Sequence, residues 1–214
     1  MRWRSALALP VLLSVAAACT ATAGSGQLAT ESRQVSDFTK VELTGIGELT
    51  INQTGSESLT ISAENNLLPL LTSQVEGDTL ILGKKPNIRI RTTKPITYTL
   101  TMKDISGLAV SGSGTINAPK LTTAALRSEI SGSGVITAAG TADDQNLEIS
   151  GSGRYLSDGL SSKTVTVEIA GSGMADVVAS ETLDVKISGS GTLTYSGNPQ
   201  VKQSVSGSGK LIKK

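Results

Sequence analysis

The chain has 214 residues, of which 38% are hydrophobic, 17% charged and 2% aromatic, with 23 glycines, one cysteine, no histidine and a formal net charge of +1. Modest hydrophobicity with little net charge describes a folded chain of one large or two small domains and gives no electrostatic case for nucleic acid. The missing histidine excludes imidazole-based triads and the zinc and iron sites that need it, and the single cysteine excludes an internal disulfide and any thiolate cluster.

In chain order, Met1-Arg2-Trp3-Arg4 opens an apolar run from Ala6 to Ala18 around Pro10. The run is too short to span a bilayer, and its basic start marks residues 1–18 as an export signal. Ala16-Ala17-Ala18 then meets Cys19. This junction resembles the lipobox of bacterial lipoproteins, with Ala16 where leucine is usual. The resemblance implies a lipid-modified Cys19 as mature N-terminus, anchored in the cell envelope at the outer membrane or cell surface. The plainer readings are a secretory signal cut nearby or a buried structural cysteine.

Removal of Arg2 and Arg4 would leave 17 basic against 18 acidic residues, so overall charge does not favour an anionic membrane surface. Residues 19–34 are small and polar after Cys19, which predicts a flexible tether.

Residues 35–105 form the less regular part. Val41 to Ile51 fits an opening coil with Ile46 in place of a serine, and strands are predicted near 58–63, 79–83, 88–91 and 96–102. Asn65 to Leu71 is the one stretch suited to a helical turn, where it would plug the end of the structure.

Residues 106–214 carry an internal repeat. Gly-Ser-Gly recurs at Gly112 and Gly114, Gly132 and Gly134, Gly151 and Gly153, Gly171 and Gly173, Gly189 and Gly191, and Gly207 and Gly209, with spacings of 20, 19, 20, 18 and 18. Both glycines of each motif are expected at a structural corner, where they can take positive φ and let backbones stack closely. Two residues before each first glycine stand Val110, Ile130, Ile149, Ile169, Ile187 and Val205; four after it stand Ile116, Ile136, Tyr155, Ala175, Leu193 and Leu211. Alternation on both sides of a glycine corner predicts two short strands per coil of a parallel β-helix, all-β, with stacking needed to bury each coil's apolar face. At about 4.8 Å per coil the regular part would be about 29 Å long. Right-handed winding is favoured because most coils lack the six-residue apolar period of the left-handed form. The closing Lys210, Lys213 and Lys214 would discourage end-to-end addition.

The order "FTKVELTGIGELTI", "VEGDTLIL" and "LAVSGSGTINA", followed by further Gly-Ser-Gly repeats, resembles the bacterial auto-transporter adhesin head GIN domain family over about residues 35–210. The resemblance implies an exported β-helical envelope protein and carries no binding residues with it.

Candidate chemistry is sparse. None of the six corners continues into the Gly-Lys-Ser/Thr of a phosphate loop, and none offers the aspartate of calcium-binding β-rolls. Asp143, Asp144, Asp158, Asp176 and Asp184 fall at different repeat offsets and predict no catalytic column. One acidic column is predicted: Glu129, Glu148 and Glu168, followed by Lys186, with Arg127 on the same outward face. It reads as a solvated, ion-paired face, with a weak cation or ligand site as the alternative and no metal otherwise expected. Five serines (Ser111, Ser131, Ser150, Ser188 and Ser206), interrupted by Ala170, would stack and bond along the axis. Tyr155 and Tyr195 share core offsets, leaving no obvious aromatic platform for sugars. The sequence thus predicts a lipid-anchored envelope module, without cofactor or catalytic centre, that binds or scaffolds surface polysaccharide or protein. A polysaccharide-acting enzyme and a self-associating structural protein are the alternatives.

Overall fold

Strand periodicity with one buried face requires a partner for every apolar stripe, and the chain supplies it by coiling on itself. A computed structural model describes residues 21–214; the signal segment and Cys19 lie outside the described residues. The first part contains β1 (Thr22–Ala23), β2 (Leu28–Arg33), β3 (Lys40–Gly45), β4 (Glu48–Gln53) and β5 (Ser58–Glu64). A 3-10 turn (Leu68–Leu70) leads into β6 (Leu71–Glu76), β7 (Thr79–Lys84), β8 (Ile90–Arg91) and β9 (Thr97–Met102). The repeats form β10 (Gly107–Gly112), β11 (Thr115–Gly132), β12 (Val135–Gly151), β13 (Arg154–Gly171), β14 (Met174–Gly189), β15 (Thr192–Ser196), β16 (Gln200–Gly207) and β17 (Lys210–Lys213). Together they make a parallel β-solenoid of about five turns.

The predicted columns are the register of the sheet. Val110, Ile130, Ile149, Ile169, Ile187 and Val205 face one another on successive coils, as do Ile116, Ile136, Tyr155, Ala175, Leu193 and Leu211. All are buried until the last coil, where Val205 is exposed and Leu211 half-buried. The stripes continue downwards: Leu82 under Leu43 and Val110, and Tyr98 under Leu49 and Ile116. One continuous core results, each buried aliphatic side chain contributing about 1.5–3 kcal/mol.

At the corners the first glycines have positive φ, from 98° at Gly45 to 129° at Gly112, a region open to glycine and strained for other residues. A Cβ at Gly151 would stand 2.6 Å from the Gly132 carbonyl oxygen, so the corners stack backbone on backbone. Each coil then donates from its serine N–H to the glycine below, as Ser152 does to Gly132 O at 2.8 Å.

The second glycines of the motif work differently, which corrects the expectation that both take positive φ. Gly114, Gly134, Gly153, Gly173, Gly191 and Gly209 are absent from the residues with positive φ. What they supply is clearance for a side chain. A Cβ at Gly114 would meet Leu43 Cδ2 at 2.6 Å, and one at Gly134 would overlap Val110 Cγ1. At Gly153, Gly173, Gly191 and Gly209 it would overlap the Cγ2 atoms of Ile130, Ile149, Ile169 and Ile187 respectively. Each second glycine is therefore a notch that receives an aliphatic side chain of the coil below, leucine at Gly114 and a β-branched residue at the other five, and any side chain there would lift the coils apart.

The spatial order of coils is not the chain order. β3 and β4 lie between the later β10–β11 coil on one side and the coil of β7 and β9 on the other, all parallel. The β7–β9 coil is closed off by antiparallel strands: β6 on β7, and β5 then β2 beyond β9.

This corrects the tether expected over residues 19–34, of which 21–34 are described. β1 pairs with β8, and β2 pairs with β5 along six register positions. The Arg33 guanidinium donates to the carbonyls of Leu68 and Leu71, each at 2.9 Å, pinning β2 to the 3-10 turn. Small polar residues suit a solvent-facing edge strand as well as a linker, because backbone bonds rather than apolar burial hold such a strand.

Candidate functional site

The glutamate column exists as a line of register partners. Ala109, Glu129, Glu148, Glu168, Lys186 and Ser204 face outward on successive coils. Strand spacing of about 4.8 Å would set three carboxylates repelling one another, but each has a cation. The Arg127 guanidinium bonds Glu129 and reaches Glu148 at 3.3 Å, and Lys186 bonds Glu168. The contacts with Glu129 and Glu148 raise the affinity of Arg127 for its proton, chiefly through the hydrogen bond with Glu129. Through these contacts the column is an ion-paired ladder. Lys202 extends the pattern beside it with Asp184 at 3.1 Å.

The serine column is also in register, from Thr44 through Ser111, Ser131, Ser150, Ala170 and Ser188 to Ser206. Ser111 donates to the Glu42 carboxylate at 2.7 Å rather than to its neighbours.

A third face carries the feature that sequence reading missed. Between the two strands of each coil the backbone bends, with register shifts at Ala118/Leu121, Thr137/Ala139 and Leu156/Ser161. Just beyond, Thr122, Thr141 and Ser161 face one another on three successive coils, all exposed. They line an open groove of about 740 Å³ that runs across the strands, with Asp104 and the Asp143–Lys163 ion pair (2.8 Å) also in its wall. Gln53 at the N-terminal end bonds both the N–H and the carbonyl of Thr122, fixing that rung.

Beneath the groove lies a buried polar cluster. Gln145 donates through Nε2 to Ser162 at 2.6 Å and accepts from the Tyr155 hydroxyl at 3.1 Å. Ser128 donates to that hydroxyl at 3.4 Å, and Ser157 to the carbonyl of Asp176 at 2.9 Å. Burial pushes Tyr155 up to about 12, so it remains a donor. The cluster holds the groove floor in one arrangement. Tyr155 and Tyr98 are buried and Tyr195 half-buried, so sugar stacking has no platform among them. The signal that could have found the groove is the hydroxyl nine or ten residues after each first glycine (Thr122, Thr141, Ser161), blurred where the repeat length varies.

Comparison with known proteins agrees with this architecture. The family described as "Putative auto-transporter adhesin, head GIN domain" matches residues 37–199. A crystal structure of a "putative adhesin" from Bacteroides fragilis NCTC 9343 is similar with a TM-score of 0.70 at 25% identity, covering 89% of this chain and 98% of that one. A "putative lipid binding protein" from Parabacteroides distasonis ATCC 8503 gives 0.56 at 23% identity over 91% and 99%. A "putative adhesin" from the same strain gives 0.51 at 20% over 91% and 100%. No curated protein matches the sequence.

Proposed function

The chain belongs to the auto-transporter adhesin head GIN domain family, and from that premise we propose that it is a non-catalytic binding module of the cell envelope, exported and anchored through a lipid on Cys19. Its partner is an extended, hydroxyl-rich polymer of the polysaccharide class, lying across the coils. The observation that carries this is the groove of Thr122, Thr141 and Ser161, whose hydroxyls repeat at the strand spacing on a rigid floor. A repeating polymer meets the same donor and acceptor at each coil, and pre-organised contacts lose little freedom on binding. The carboxylates of the flat face support binding over catalysis, since Glu129, Glu148 and Glu168 are engaged with Arg127 and Lys186.

Residues 20–214, which keep every described strand, are titrated with isolated envelope polysaccharides and cell envelopes in a co-sedimentation assay. Saturable binding is expected, weakened at least about tenfold by Thr141→Arg, which fills the groove from an exposed position. No saturable binding, or equal binding by Thr141→Arg, would overturn the reading. Radiolabelled fatty acid should enter the full chain and be absent from Cys19→Ser.

A further inference from the structure

Residues 84–94 read Lys-Lys-Pro-Asn-Ile-Arg-Ile-Arg-Thr-Thr-Lys, five cations without a carboxylate. All five side chains are exposed, and none pairs with a carboxylate among the described residues. Residues 1–20 contain no acidic side chain either. Glu64 approaches this loop, but its carboxylate accepts from the N–H groups of Gly26 and Thr93 and from the Thr93 hydroxyl, at 2.6–2.9 Å. It fixes the loop's shape without pairing with the cations. A chain whose overall charge is near zero therefore concentrates positive charge at one end of the solenoid.

Behind the cations is an apolar pocket of about 400 Å³, walled by Ile46, Ile90, Ile96 and Tyr98, with Lys84, Arg89 and Arg91 also lining it. Ile46 occupies the corner position that serine holds in the repeats and is 45% exposed. Ala21, two residues from Cys19 along the chain, lines the same pocket.

We propose that this end of the solenoid docks on an anionic phospholipid bilayer. Lys84, Arg89 and Arg91 meet the headgroup phosphates, while Ile46 and the pocket behind it receive the adjoining acyl region. Charge complementarity selects an anionic surface over a neutral one, and the exposed isoleucine gives a contact that salt does not screen. Ala21 in the pocket wall keeps this face within two residues of Cys19 along the chain. The inference goes beyond the groove reading and does not require Cys19 to be lipidated.

The test is flotation of residues 20–214 with vesicles of phosphatidylcholine alone or with about one third phosphatidylglycerol, at about 0.1 M salt. Binding to the anionic vesicles is expected, with each cation removed costing about fivefold. Lys84→Gln/Arg89→Gln/Arg91→Gln should then bind on the order of a hundredfold more weakly. Lys120→Gln/Arg154→Gln/Lys213→Gln, which removes the same charge elsewhere, should lose far less, and Ile46→Ser should weaken the binding that persists at high salt. Absence of binding to anionic vesicles, or equal losses in the two triple variants, would overturn the proposal. The vesicles contain no polysaccharide, so failure of the groove reading does not touch this result.

Discussion

Replacing Gly151 with alanine adds one methyl group where φ is +121° and where that carbon would meet the Gly132 carbonyl oxygen at 2.6 Å. The backbone conformation alone costs about 1–3 kcal/mol for a non-glycine residue. Relief of the overlap must lift one coil off the next, stretching the 2.8 Å bond from Ser152 N–H to that same oxygen, and overpacking of this kind adds about 1–3 kcal/mol. Two controls separate the terms. Gly55 has φ of +80° with nothing within 4 Å of an added Cβ, so Gly55→Ala reports conformational cost alone. Gly207 has the same overlap, 2.5 Å from Gly189 O, but sits in the last described coil, where β16 pairs only with β14. Urea unfolding followed by circular dichroism, with hydrogen exchange to locate the loss, should rank Gly151→Ala as most destabilised. Gly207→Ala should fray the last coil only. A Gly151→Ala midpoint no lower than that of Gly55→Ala would refute the argument that stacked backbones, rather than φ, make these corners glycine.

Thr93 hydrogen bonds, through hydroxyl and N–H, hold Glu64 down to about 2 against a usual 4.5. Its stabilisation is therefore complete above pH 4.5 and lost as pH falls towards 2, and hydrogen exchange at Gly26 and Thr93 should accelerate in that window. Glu64→Gln should abolish the pH dependence there. Arg127→Gln should cost only about 0.2–1 kcal/mol, because its pairs are exposed. It should also let calcium raise the melting temperature, which the paired wild-type ladder resists; an identical calcium response in both proteins would count against resident neutralisation. Tyr155→Phe removes the donor to Gln145 inside the core and should cost about 1–3 kcal/mol by thermal unfolding.

The repeated half was legible because one residue's environment recurs coil after coil. Val110 and Ile130 could be placed face to face by counting from glycine, and the same count placed Glu129, Glu148 and Glu168 beside Arg127. Counting could not tell Gly151 from Gly153, since the same residue answers a positive φ in one and the Ile130 methyl group in the other. Of the closing strands, β5 was legible as the strand near 58–63, but its antiparallel pairing with β2 was not, since that pairing follows no repeat. The pattern of Leu28–Arg33, largely exposed, is one a linker also shows. The groove escaped because repeats of unequal length absorb their differences in the very bends that form it. The basic end escaped because a sum over the chain erases position: Lys84 to Lys94 are cancelled on paper by carboxylates that are bonded elsewhere.

The placement of β3 and β4 between later segments bears on how the chain acquires its shape as it emerges. A polypeptide delivered N-terminus first presents these two strands with both edges bare until Lys84 has emerged to lay β7 on β3, and Met102 to lay β9 on β4. The other side fills only as β10 and β11 follow. Assembly therefore has a defined starting seed of about sixty residues that must close before elongation can proceed, and elongation then runs one way, coil by coil, towards the C-terminus.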